Sequence, residues 1–232
     1  MSALFNTIFG VLCTALLGTY ITNKIAEFFQ RRTVLNNIKI KKAEEQIKQI
    51  SDLSIRINKS SASRRFAMQN LINALLNNGQ NIDEIRNEYR IEVKNWNIDL
   101  TSYNIELSMM SLTELAIHHL EGVDYGENAY ASGVHRNFFK AHNLLNRYIN
   151  GDKNTLLLIK AQDLLNISYK ETKYISEQLV IESNNIWNNL KNNETDPLSI
   201  YNLGRAETFQ LILAIFHHPR SNFLRVKRPS RD

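Results

Sequence analysis

Apolar side chains recur along most of this chain at spacings of three and four residues, the period that lines one face of a helix. The row is clearest at Ile82, Ile85, Tyr89, Val93, Trp96, Leu100, Tyr103, Leu107 and Met110. It predicts a helix running to about Glu121, with a loop over residues 122–126, and Asn81 with Glu84 resembles a capping box at its start. Upstream, Ile25, Phe28, Arg32 and Leu35 begin a seam that slips near residues 36–39. Ile40, Ala43, Ile47, Ile50, Ser54 and Ile57 then resume it. Phe66, Leu71, Ile72, Leu75 and Leu76 mark a short helix stopped by Gly79. Val134, Phe138, Ala141, Leu145 and Tyr148 define a fourth helix, closed by Gly151. Ala161, Leu165, Ser168, Thr172, Ile175, Leu179, Ile186 and Leu190 define a long fifth. Asp196-Pro197 opens a last helix over residues 198–217 that is apolar nearly all round, and His218-Pro219 ends it. A helix without a polar face belongs in the middle of a bundle or in an interface.

Eight Gly and three Pro in 232 residues leave few tight turns, which disfavours sandwiches and α/β folds and favours few, long elements. The expected fold is therefore all-α: a transmembrane anchor (1–23), a basic juxtamembrane helix (24–58), an antiparallel bundle of long helices (59–218) and a basic tail (219–232).

The anchor is expected because residues 3–22 carry no charge, a length that covers a hydrocarbon core of roughly 30 Å at about 1.5 Å per residue. A signal peptide carries its positive charge ahead of the apolar core. Here the positives follow it, at Lys24, Arg31, Arg32, Lys39, Lys41 and Lys42. The positive-inside rule then leaves the carboxyl side in the cytoplasm, with a single pass through the cell membrane and the amino terminus outside. Gly10, Thr14, Gly18 and Thr22 recur every four residues. Small side chains let helices approach closely in lipid, so the stripe points to a homo-oligomer, although Gly and Thr are also common in membrane helices generally.

The net charge of +5 conceals a segregation. Residues 24–65 hold eleven Lys/Arg against four Asp/Glu, residues 66–216 twelve against eighteen, and residues 217–232 five against one. This is no uniformly basic nucleic-acid binder. Lys24, Arg31 and Arg32 beside the anchor, and Arg225, Lys227 and Arg228 in the tail, are placed to meet anionic lipid headgroups, with RNA as the rival partner. A single cysteine, Cys13, allows no intramolecular disulfide.

Glycine-rich phosphate loops, CxxC pairs, HExxH and GxSxG are all absent. Glu114, His118 and Glu121 share one helical face, but the order is Glu-x-x-x-His and no second helix supplies a matching set. Surface ion pairing accounts for them, and no metal or cofactor is expected. In HRNFFKAH, residues 135–142, Arg136, Asn137 and His142 resemble the R-x(4–6)-H signature of HEPN ribonucleases. That resemblance implies a helical bundle that pairs so that two motifs share a cleft and cut RNA without metal. Arg136 would hold phosphate, Asn137 would orient the site, and His142 would take the 2′-hydroxyl proton. His142 also lies in line with Phe138, Leu145 and Ile149, the placement of an ordinary core histidine. The leading expectation is a membrane-anchored, self-associating effector or scaffold whose bundle meets a protein partner, in the manner of a prokaryotic toxin or phage-defence effector. A tethered ribonuclease is the alternative.

Overall fold

The computed structural model describes residues 2–77, 81–122 and 132–193, without the side chains of 2–9, 12, 13 and 191–193. Every regular element among them is helical: α1 (Ser2–Leu76), α2 (Ile82–Met109), a π-helical segment (Leu115–Glu121), α3 (Val134–Ile149) and α4 (Thr155–Asn193). The chain divides into two compact units, residues 46–185 and residues 1–45 with 186–232. The expected helix over 198–217 and the basic tail lie outside the described residues.

The unit of residues 46–185 is bundle-like, and its neighbouring helices run antiparallel. Arg56 pairs with Glu106, Ser60 with Asp99 and Arg64 with Asn97, so α1 and α2 run in opposite directions. Tyr89 meets His142 while Trp96 meets His135, which sets α2 against α3 in the same way. Asn58 meets Ser176 and Ser61 meets Thr172, which does so for α1 and α4.

In α1 the buried row runs Ile50, Leu53, Ile57, Ser61, Arg64, Met68, Leu71 and Leu75, an unbroken 3,4 spacing. The polar stretch KSSASRR at 59–65 reads as a gap in hydropathy, yet the helix keeps its phase through it and buries Ser61 and Arg64 at core positions. Without Gly or Pro between residues 18 and 79, nothing in the backbone breaks the helix there. The separate short helix expected from Phe66 is therefore the end of α1. Phe66 itself, off the buried row, is 59% exposed.

The α2 row holds, with Tyr89, Trp96, Tyr103 and Leu107 buried. Its expected capping box does not form. Asn81 adopts the left-handed conformation (φ 67°), and its side chain makes no cap hydrogen bond. The helix also stops at Met109, short of Glu121, because Ser111 turns left-handed (φ 62°). The Leu112 N–H then donates to the Leu107 carbonyl (2.8 Å), and the chain re-enters as a π-helix closed by the Gly122 N–H on the Ile117 carbonyl (3.0 Å). That segment buries Leu115, Ala116 and Leu120 and sets His119 against Glu171 of α4 (2.9 Å). Beyond it, Gly122 (φ 78°) and Gly133 meet backbone to backbone: a Cβ at Gly133 would lie 2.4 Å from Gly122 Cα. Val134, Phe138, Ala141 and Leu145 of α3, and Ala161, Leu165, Ser168, Thr172, Ile175 and Leu179 of α4, are buried, as their spacing predicts, while Tyr148, Ile186 and Leu190 of the same rows are only part-buried.

In the other unit, the Thr14, Thr19 and Thr22 hydroxyls donate to the carbonyls of Gly10, Ala15 and Gly18 within the same helix. No helix among the described residues is long and apolar enough to cross a membrane. About half of the side chains of the expected span at residues 1–23 are not described. What remains of it from Gly10 onward is short and diluted by Thr14, Gly18, Thr19 and Thr22.

Candidate functional site

Two part-buried histidines share one face of α3, where His135, Phe138 and His142 stand at i, i+3 and i+7 and so point the same way. α2 packs on this face through Tyr89 and Trp96, and α1 through Arg64. The ring of Trp96 meets Phe138 edge-on at 5.3 Å, and its indole N–H donates to His135 Nδ1 at 3.2 Å. Both large rings are fully buried.

His142 is held at both nitrogens. The Asn146 amide donates to Nε2 (2.8 Å), which leaves the proton on Nδ1, and Nδ1 donates to the Tyr89 hydroxyl oxygen (2.6 Å). Burial lowers its pKa from the ordinary histidine value, and the Arg64 charge lowers it further; His135 is shifted the same way by the same two causes. Burial raises the Tyr89 phenol, with Arg64 partly opposing it. Arg64 itself is brought down to about 10 by burial. The site is thus built from two neutral imidazoles, a neutral phenol and a buried guanidinium.

Sequence reasoning singled out Arg136, Asn137 and His142, and the fold does not bind them into one constellation. Six residues apart, Arg136 and His142 stand about 120° apart around α3. Arg136 donates to the Gly122 carbonyl (3.1 Å), where it secures the Gly122–Gly133 crossing. Asn137 is buried and donates to Ser132 Oγ (3.2 Å), holding the entry to α3. The Nε2 lone pair that a general base would need accepts the Asn146 amide. Arg64, Tyr89 and His135 escaped the motif search. The only signal for Arg64 was its register in the α1 row.

The remaining candidates fall elsewhere. Glu121 accepts from the Asn104 side chain, His118 is exposed, and no metal-binding cluster occurs among the described residues. Gly10, Thr14, Gly18 and Thr22 are exposed, and nothing lies within 4 Å of a Cβ built on either glycine. Lys24 and Arg31 both pair with Glu27, which lowers the pKa of that carboxyl, the Lys24 hydrogen bond acting most. Arg32 lies on the same helical stretch, and Arg225, Lys227 and Arg228 lie outside the described residues. No family model, curated protein or solved structure matches this chain.

Proposed function

We propose that this protein is a membrane-attached, self-associating helical scaffold or effector, held by the first two dozen residues, with the bundle on the cytoplasmic side. The observation that carries the reading is the exposure of residues 14–20, seven in a row and so nearly two full helical turns, among them Leu16 at 70% and Leu17 at 62%. Leu16 and Leu17 on this uncharged stretch find no core among the described residues of their unit, and lipid or other copies of the chain would cover them. Its threonine hydroxyls are already satisfied by carbonyls one turn back, the arrangement that lets such residues enter lipid. The first charges, at Lys24, Glu27 and Arg31, fall where headgroups would begin.

Membrane fractionation of the full-length chain tests attachment. Wild type should sediment with membranes and resist a carbonate wash, and Leu16→Lys/Leu17→Lys should release it. Wild type in the soluble fraction overturns the proposal. Self-association is tested by Gly10→Leu/Gly18→Leu. Both positions are open among the described residues of the single chain, so larger side chains fit there and would obstruct a contact between copies. Crosslinked oligomers should then be lost, and an unchanged ladder refutes the packing role.

A further inference from the structure

One buried group in the bundle is left incomplete by its own neighbours. Arg64 is 2% exposed, and its guanidinium lies 4.7 Å from the centre of the Phe138 ring and 6.0 Å from that of Trp96. Its one hydrogen bond is a long one, from Nη1 to Asn97 Oδ1 at 3.5 Å, and Nε has no partner. No carboxylate among the described residues pairs with it. Buried guanidinium groups are ordinarily paired with an acid, because leaving water is costly and ring faces recover only part of that cost.

The titratable groups on the neighbouring helices that feel the Arg64 charge are Tyr89 on α2 and His135 and His142 on α3, and none carries a carboxyl group. His135 supplies a second donor, one without an acceptor among the described residues. Its Nδ1 accepts the Trp96 N–H, so the proton of the neutral ring sits on Nε2. The cluster is rich in donors and poor in acceptors, which is the composition of an anion site rather than of a core. His135 is part-buried, whereas Arg64, Trp96 and Phe138 are buried, so the cluster is nearest solvent on the His135 side.

We propose that Arg64 and His135 form the heart of a binding site for a small oxyanion of the phosphate class, reached past His135 and seated against the unpaired Arg64 Nε. Fixed donors in a low-dielectric setting hold such an anion more strongly than exposed lysines would. A bound anion would also favour the protonated form of His135 and so turn a neutral donor into a charged one. The site stands apart from the membrane reading, since every residue in it belongs to the bundle.

The test is thermal unfolding of the full-length chain in non-ionic detergent, followed by circular dichroism, in sodium phosphate against sodium chloride of equal ionic strength. Phosphate should raise the wild-type midpoint by a few degrees over chloride, and Arg64→Met should abolish that increment. Equal wild-type midpoints in the two salts, or an increment that persists in Arg64→Met, overturn the proposal. If Arg64→Met does not fold, Trp96 emission in a Trp187→Phe background decides. A saturable change on adding phosphate but not chloride supports the site, and a flat titration refutes it. A nucleoside 5′-monophosphate acting at lower concentration than inorganic phosphate supports the site and assigns it to a phosphoryl group carried on a nucleotide. The reverse order supports the site for the free ion.

Discussion

The crossing of Gly122 and Gly133 sets up a substitution whose two effects pull in opposite directions. Gly133 is extended (φ −159°, ψ 160°), a conformation that alanine adopts freely. From the backbone alone, Gly133→Ala should stabilise by about 0.4–1 kcal/mol by restricting the unfolded chain. Packing says otherwise. The new Cβ would sit 2.4 Å from both Gly122 Cα and Gly122 N, and 3.0 Å from the Glu121 carbonyl carbon. All three are backbone atoms, so no rotamer change relieves the clash. The Gly122 side cannot retreat freely, because its N–H closes the π-helix on Ile117 and its carbonyl accepts Arg136. Overpacking of this kind costs typically 1–3 kcal/mol, so the net effect should be a loss of about 1–2 kcal/mol. Urea unfolding followed by ellipticity at 222 nm reads it as a lower midpoint with an unchanged slope. Gly151→Ala is the control. There φ is +122° with nothing within 4 Å, so any loss is conformational and owes nothing to crowding. If Gly133→Ala unfolds at or above the wild-type midpoint, the two backbones are not in contact and the account of this crossing fails.

Two further outcomes follow from the bundle. His135 and His142 have folded pKa values below the ordinary histidine value, so the unfolded chain binds protons first as pH falls. Stability should be complete above about pH 6.5 and should decline below it, with His142→Asn flattening the slope; a urea midpoint that rises on acidification refutes the neutral, buried imidazoles. Arg56 and Glu106 form a forked pair in which the Arg56 hydrogen bond is the largest cause lowering the Glu106 carboxyl, so its contribution is present above the unfolded carboxylate value and lost as pH falls through the folded one. The pair is partly exposed, so an Arg56→Ala/Glu106→Ala double-mutant cycle should find a coupling below about 1 kcal/mol, and a value of several kcal/mol would refute that placement.

Some of this architecture was open to sequence reasoning and some was not. The α2 row was legible because large residues, Tyr89, Trp96 and Tyr103, recur every seventh position on one face. The continuity of α1 was signalled by the lack of Gly or Pro between residues 18 and 79. Its core was misread at 59–65, where hydropathy outweighed register and Arg64 was passed over for Phe66. The stop at Met109 was invisible. Ser111 takes a left-handed turn that nothing in MMSLT announces, since neither Gly nor Pro occurs there. For the candidate site, the residues flanking His142 could be read from the chain, but Tyr89, 53 positions away, could not. Whether a histidine offers a lone pair or is capped by its neighbours depends on such distant partners, and a seven-residue motif carries no record of them.

Arg64 and Ser61 occupy successive positions of a row that is otherwise Ile, Leu and Met, and that placement separates the cost of a residue from its use. Ser61 is easily accommodated: its hydroxyl meets Thr172 at 2.9 Å, and Thr172 is anchored in turn on the Ser168 carbonyl. The guanidinium has only the long Asn97 hydrogen bond and two ring faces, so packing alone would favour a methionine, which fills a similar slot without a charge. Replacing a poorly compensated buried charge with an apolar side chain of similar volume is often stabilising, by about 1–4 kcal/mol. Arg64→Met should therefore raise the urea midpoint in chloride buffer. If the Phe138 and Trp96 rings already compensate the charge, the substitution removes that compensation together with its cost, and the midpoint falls instead. The sign of this one change in phosphate-free buffer distinguishes an arginine kept as a packing element from one kept at the expense of stability. Only the second needs a ligand to explain it. A fall in the midpoint would mean that the aromatic faces complete the site and that its donors await nothing.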